Sequence, residues 1–159
     1  MKLFFLRHGL AGDPAEWRGD DFDRPLTKEG RKRLKHQGKV FAKLPLELDT
    51  IVTSPLVRAR ETADIVADAL DGKNRVVSDP RLGPGFDRQR LSAILDEHRD
   101  AETVMLVGHE PSMSQTIVDI VGGGRIDLKK GGLAYVDVPE RTALRGTLVW
   151  LVAPKVLLL

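Results

Sequence analysis

The sequence predicts an α/β fold, a three-layer α/β/α sandwich around one mostly parallel sheet. Short apolar runs alternate with longer segments of helical periodicity. Strands separated by helices need crossovers, which pair them in parallel and place helices on both faces. The chain has 159 residues, 42% of them hydrophobic, enough for one core and too many for disorder. No internal repeat or low-complexity linker divides it, so residues 1–159 are expected to form a single domain.

The elements follow in order. "KLFFLR" (2–7) is an apolar strand ending in charge, and "LTKEGRKRLKHQGKVFAKL" (26–44) is a helix opening at Thr27, with Leu34, Phe41 and Leu44 as its buried stripe. "DTIVTS" (49–54) is a strand. "PLVRARETADIVADAL" (55–70) is a helix, with Ser54 expected as N-cap and Pro55 at its first position. "RVVS" (75–78) is a short strand and "DRQRLSAILDEH" (87–98) a helix. "TVMLVGH" (103–109) is a buried strand, and "PSMSQTIVDIVGG" (111–123) a helix stopped by glycines. "GLAYVDV" (132–138) and "TLVWLVA" (147–153) read as a closing hairpin, and the apolar tail after them as packed or sticky.

Composition removes several classes of function. The chain has no cysteine, which excludes disulfides, thiolate metal sites and cysteine-based phosphatases, and suits a reducing cytoplasm. No signal-peptide pattern opens the sequence, and the apolar tail, broken by Pro154 and Lys155, is too short to span a bilayer. Net charge is +2. The basic cluster "RKRLKHQGK" (31–39) reads as a solvated helix face, and with aromatics at 5% no stacking platform for nucleic acid is visible. No membrane or nucleic-acid partner is expected, and a monomer is favoured.

In open α/β sheets, ligands bind beyond the carboxyl ends of the strands. His8 directly follows the first strand and His109 the "TVMLVG" strand, whereas His36 and His98 lie in charged helical surroundings and read as surface residues. Arg7 closes the first strand, a costly place for an arginine unless an anion waits there. Arg58 falls with Thr62 on the flank of the stripe formed by Ala59, Thr62, Ala63, Val66, Ala69 and Leu70, while Arg60, Glu61, Asp64 and Asp68 share the opposite, polar face. From that flank Arg58 can point at the sheet edge near a helix N-terminus. Two arginines and two histidines around one pocket describe a phosphate site: guanidinium forks match phosphate oxygens, and Gly9 lets the backbone approach. A metal is not expected, because the histidine spacing offers no ligand framework and arginines repel a cation. No nucleotide P-loop is present either.

"LRHG", "RPLTKEG" (24–30), "SPLVRARETA" and "VGHEP", in this order, resemble the histidine phosphatase superfamily, whose fold is phosphoglycerate-mutase-like. With no long insertion beyond "SDPRLGPGFDRQ" (78–89), the chain is most similar to its SixA-type protein-phosphohistidine phosphatases. The resemblance implies His8 as nucleophile and Arg7, Arg58 and His109 as phosphate ligands, with no cofactor. Neutral imidazole can attack phosphorus and form a phosphohistidine that water cleaves, and surrounding cations would keep His8 neutral and stabilise transition-state charge.

The general acid stays open. Mutase-type members supply a glutamate before the third helix, where this chain offers only Asp87. Acid-phosphatase members use an acidic residue after the second histidine, where Glu110 stands, equally able to cap the following helix. Phosphohistidine needs a donor less than an alkyl ester does, since its leaving imidazole can carry its own proton. The leading expectation is a metal-independent phosphatase acting on protein phosphohistidine. The alternatives are a small-molecule phosphomonoesterase of the same fold and a non-catalytic phosphate-recognition module. Asp13, Asp20, Asp21 and Asp23 read as a solvated loop, as do Lys129 and Lys130.

Overall fold

The computed structural model describes residues 1–158, apart from the side chain of Asn74. Its strands are β1 (Lys2–Arg7), β2 (Thr50–Thr53), β3 (Val76–Ser78), β4 (Thr103–Gly108), β5 (Leu133–Glu140) and β6 (Arg145–Val152). They form one sheet in the order β3-β2-β4-β1-β5-β6. The first four run parallel to one another, and β5 and β6 add an antiparallel hairpin beside β1. The helices are α1 (Lys28–Phe41), α2 (Val57–Ala69), α3 (Arg88–Glu97), α4 (Ser112–Val121) and the short α5 (Pro154–Leu157).

Alternation along β1 sorts the core into two layers. Phe4 and Leu6 pack with Phe41 of α1 and Ala59, Ala63 and Val66 of α2 on one face. Leu3 and Phe5 pack with Leu91 and Ile94 of α3 and Met113 and Ile117 of α4 on the other. All six residues of β4 are buried, as a strand covered on both faces requires. The architecture is therefore the expected α/β/α sandwich. Thr27 caps α1, its Oγ1 accepting the Gly30 N–H at 2.9 Å, and α4 ends on Gly122, which adopts the left-handed conformation at φ 89°. Among the described residues no helix is long and apolar enough to cross a membrane.

Several boundaries differ from expectation. α1 stops at Phe41, where the chain turns, so Leu44 leaves the buried stripe and is 36% exposed. α2 starts at Val57 rather than Pro55, with Leu56 as its N-cap, and Ser54 is no helix cap. The Ser54 N–H still extends the sheet, donating to the Val107 carbonyl at 2.9 Å. Within α2, Ala67 is buried where Ala69 and Leu70 were expected, and those two are only half-buried. Glu61 also leaves the solvated face: it accepts the Leu26 N–H at 2.8 Å and pairs with Arg31 at 2.6 Å, tying α2 to α1. Leu159, the end of the apolar tail, lies outside the described residues.

Candidate active site

The two histidines are neighbours because their strands are. β1 and β4 pair in register, with Arg7 opposite Gly108, so His8 and His109 leave the sheet at the same level. The His8 N–H donates to the Gly108 carbonyl at 3.1 Å, and the two ring centroids lie 5.2 Å apart. Both rings are buried, at 6% and 7% exposure.

Their partners fix what each ring presents. His8 Nδ1 lies 2.8 Å from the Gly9 carbonyl. A carbonyl only accepts, so Nδ1 carries the proton and Nε2 is left with its lone pair. His109 Nε2 lies 2.7 Å from Ser54 Oγ, and that hydroxyl already accepts the Leu56 N–H at 3.3 Å. The Ser54 hydroxyl proton has no other acceptor among the described residues, so it points at Nε2, and that assigns the His109 proton to Nδ1.

Arg58, in the first turn of α2, is 6% exposed. Its Nη1 donates to the Asp21 carbonyl at 2.8 Å and its Nη2 to Asp21 Oδ2 at 3.0 Å. Arg7 donates from Nη1 to the Leu128 carbonyl at 3.0 Å. Three buried side-chain polar atoms have no partner among the described residues: Arg7 Nε, Arg58 Nε and His109 Nδ1. All three are N–H donors. Leaving each one buried and unpaired costs about 1–3 kcal/mol, so each calls for an acceptor, and the charges of Arg7 and Arg58 both reach the two rings.

Electrostatics agree with the geometry. Burial pushes His8 down to about 3, against the Gly9 hydrogen bond that favours its protonation, and His109, Arg58 and Arg7 lower it further. His109 is held down to about 4 by burial and then by Arg58, with Arg24 and Arg7 adding to the effect and Asp21 opposing it. Both rings are neutral near pH 7. Burial also lowers the Arg7 guanidinium, countered by Glu110 and Asp127. For Arg58, burial and Arg24 lower the pKa, and Asp21 opposes them.

Gly9 is where the backbone must come close. A Cβ there would stand 2.6 Å from Leu34 Cδ1. Its N–H donates to Thr62 Oγ1 at 3.1 Å, and that hydroxyl donates onward to the Arg58 carbonyl at 2.7 Å, so one side chain joins the His8 turn to α2.

The two carboxylates considered as acids sit differently. Glu110 accepts the Ser114 N–H at 3.0 Å through Oε1 and the Ser114 hydroxyl through Oε2, at the start of α4. Asp87 is exposed and caps α3, taking the Arg90 N–H at 2.8 Å. Among the described residues, no three His, Asp or Glu side chains gather as a metal ion would need.

Asp21, Arg24, Thr62 and Ser54 are the site residues that sequence reasoning did not assign. Asp21 belongs to the acidic loop read as solvated, yet it binds both Arg58 and Arg24, the latter at 2.8 Å. Arg24 is 6% exposed and also donates to the Gly12 carbonyl at 2.6 Å. The one sequence signal for Arg24 was its place at the head of "RPLTKEG".

Comparison with known proteins places the chain in a family. The profile described as the histidine phosphatase superfamily (branch 1) matches residues 3–83. An uncharacterised protein of Picosynechococcus is 38% identical over 84% of this chain and 82% of its own length. Phosphohistidine phosphatase SixA of Escherichia coli is 26% identical over 97% of this chain and 94% of its own. A structure of the protein histidine phosphatase SixA complexed with tungstate superposes with a TM-score of 0.87 at 24% identity, covering 99% of both chains. The chain spans 43% of the mitochondrial serine/threonine-protein phosphatase Pgam5 of Drosophila persimilis, to which it is 29% identical. With its profile, its relatives and its fold in agreement, the chain belongs to the histidine phosphatase superfamily and is a phosphatase.

Proposed function

We propose that the chain hydrolyses phosphohistidine on another protein, without a metal, through a phosphohistidine formed on its own His8. The observation that supports this reading most directly is the set of unpartnered donors, Arg7 Nε, Arg58 Nε and His109 Nδ1, beside an imidazole whose Nε2 lone pair is open. Phosphoryl oxygens accept from the three donors. His8 Nε2 then attacks phosphorus in line as the substrate's P–N bond breaks. A substrate imidazole already protonated on its second nitrogen departs neutral. Water attacks the phosphoryl group on His8, the P–Nε2 bond breaks, and dihydrogen phosphate leaves with His8 neutral again.

Both Glu110 oxygens are engaged by Ser114, and Asp87 is engaged at the start of α3. An alkoxide would have to draw its proton from a carboxyl already tied to a helix start, which favours the P–N bond as the one cleaved. SixA, similar over nearly the whole chain, is named a phosphohistidine phosphatase, and its structure was solved with tungstate, a tetrahedral oxyanion like phosphate. The cytoplasm is the compartment that suits this reading and a chain without cysteine.

The test offers a histidine-phosphorylated carrier protein and a panel of phosphomonoesters, with EDTA present, and follows phosphate release. Hydrolysis of the carrier is expected. Quenched enzyme should hold label that survives alkali and is lost in acid, and His8→Ala should form none. Turnover of phosphomonoesters alone would transfer the reading to a small-molecule phosphatase. Loss of all activity with EDTA would end the metal-free mechanism.

A further inference from the structure

A groove of about 450 Å³ is lined by Arg7 and Gly9, the chain neighbours of His8. Leu10, Leu34, Ala153 and Pro154 give it an apolar floor, and Arg33, Lys129, Lys130 and Lys155 line it as cations. No aspartate or glutamate lines it, although Arg33 holds Glu29 at 2.7 Å and Lys129 holds Asp127 at 2.5 Å on the exposed surface. The basic surface continues from Lys155 to Lys32, and on to Lys28, Lys35 and Lys39 along α1, with Glu29 as the carboxylate among them and Arg31 paired with Glu61. The chain carries a net charge of only +2, so this face concentrates positive charge well beyond its share. Four separate stretches of sequence contribute, namely β1, α1, the loop before β5 and the tail after β6. Like charges so gathered repel one another and raise the local concentration of an anionic partner.

We infer that this groove docks an acidic segment of the phosphorylated partner, carrying at least one apolar side chain, next to the residue that gives up its phosphoryl group. The inference rests on the protein-substrate reading above and names the chemistry of the surface that delivers the phosphoryl group. An apolar floor beneath cations matches glutamates or aspartates flanking a leucine-like residue. It does not match single-stranded nucleic acid, which needs aromatic faces for its bases, and none line the groove. Because the groove shares Arg7 with the phosphate pocket, a segment lying in it places its phosphorylated neighbour over His8.

The test compares two phosphohistidine peptides, one with glutamates around a leucine and one with glutamines in their place, and uses p-nitrophenyl phosphate for the pocket alone. Exposed ion pairs are each worth little, so the wild-type preference for the acidic peptide is expected at about tenfold in kcat/KM. It should reside in KM and shrink with added salt. The double variant Lys130→Glu, Lys155→Glu should lose the preference and keep its p-nitrophenyl phosphate turnover. No preference in the wild type, or one that survives in the variant, overturns the inference. Fluorescence anisotropy with the unphosphorylated acidic peptide gives a readout independent of turnover. Binding by the wild type and not by the variant supports the groove even if phosphohistidine is not hydrolysed, and absence of binding overturns it. Tighter binding of an oligothymidylate than of the acidic peptide also overturns it.

Discussion

His8 and His109 carry their protons on the same ring atom and yet do opposite things with it. His8 donates its Nδ1 proton to the Gly9 carbonyl and presents a lone pair, whereas His109 accepts the Ser54 O–H at Nε2 and presents its own N–H at Nδ1. The carbonyl partner leaves a lone pair free on His8, and the hydroxyl partner leaves an N–H free on His109. Ser54 is thus the residue that holds His109 in the tautomer the proposed donor role needs. In Ser54→Ala, His109 is expected to populate both tautomers, and kcat should fall by about tenfold to a hundredfold, approaching the cost of removing one oxyanion donor. Nitrogen-15 NMR of the imidazoles checks the cause, because a general loosening would disturb His8 as well, while loss of the Ser54 bond alters His109 alone. An unchanged His109 tautomer with unchanged kcat would sink the assignment. Strand exits and helix flanks are legible in one dimension, which is why Arg7, His8, Arg58 and His109 could be singled out, and the β1–β4 register does set His8 beside His109. Ser54 was misread for a physical reason: Ser-Pro is a common helix opening, and only the adjacency of β2 and β4 reveals that the hydroxyl is needed elsewhere.

At the scale of elements, α1 is more closely fitted to the site than its charged sequence suggests. Gly30, in its first turn, would place a Cβ 2.2 Å from the Leu10 carbonyl oxygen, a backbone atom that cannot swing aside. That carbonyl accepts the Thr27 N–H at 2.9 Å, so the loop leaving His8 and Gly9 is clasped to the start of the helix. Glycine inside a helix costs about 1 kcal/mol relative to alanine, and on propensity alone Gly30→Ala should stabilise. The clash decides otherwise. Gly30→Ala is expected to lower unfolding stability by about 1–3 kcal/mol, the range for overpacking, and to reduce kcat by moving the His8 turn. Urea unfolding monitored beside activity measures both, and a variant more stable than wild type would show that the clasp yields freely. Patterns of period and capping made the elements and their order legible, Thr27 included. What they could not reveal was contact between elements. Glu61 belongs to the polar face by period, yet it meets the Leu26 N–H and Arg31 across the α1–α2 interface. Asp21 lies in a loop with no period at all and meets Arg58 only because the chain folds back over α2.

Across the whole molecule, two buried imidazoles leave a mark on stability. His8 is held down to about 3 and His109 to about 4, against an unfolded value near 6.5. Between those limits the unfolded chain binds more protons than the folded one, so stability rises with pH across the window. The contribution is complete above about pH 6.5 and drains away as pH falls toward 4 and 3. Near pH 5, unfolding should take up about two protons, giving a slope of about 2.7 kcal/mol per pH unit. The paired carboxylates Asp21 and Asp79, lowered chiefly by their arginine partners, act in the same sense but only below the ordinary carboxylate range, so the upper part of the window belongs to the histidines. Urea midpoints measured from pH 7 to pH 5 therefore test the pocket itself, and His8→Asn should remove about half of the slope. Inorganic phosphate supplies the second arm. An anion that accepts from Arg7, Arg58 and His109 binds the folded state alone, so it should raise the midpoint at pH 7 and blunt the fall toward pH 5 by favouring protonated imidazole. Arg58→Ala should abolish that protection. A flat stability profile between pH 7 and pH 5, with no response to phosphate, would mean that these four side chains do not enclose an oxyanion.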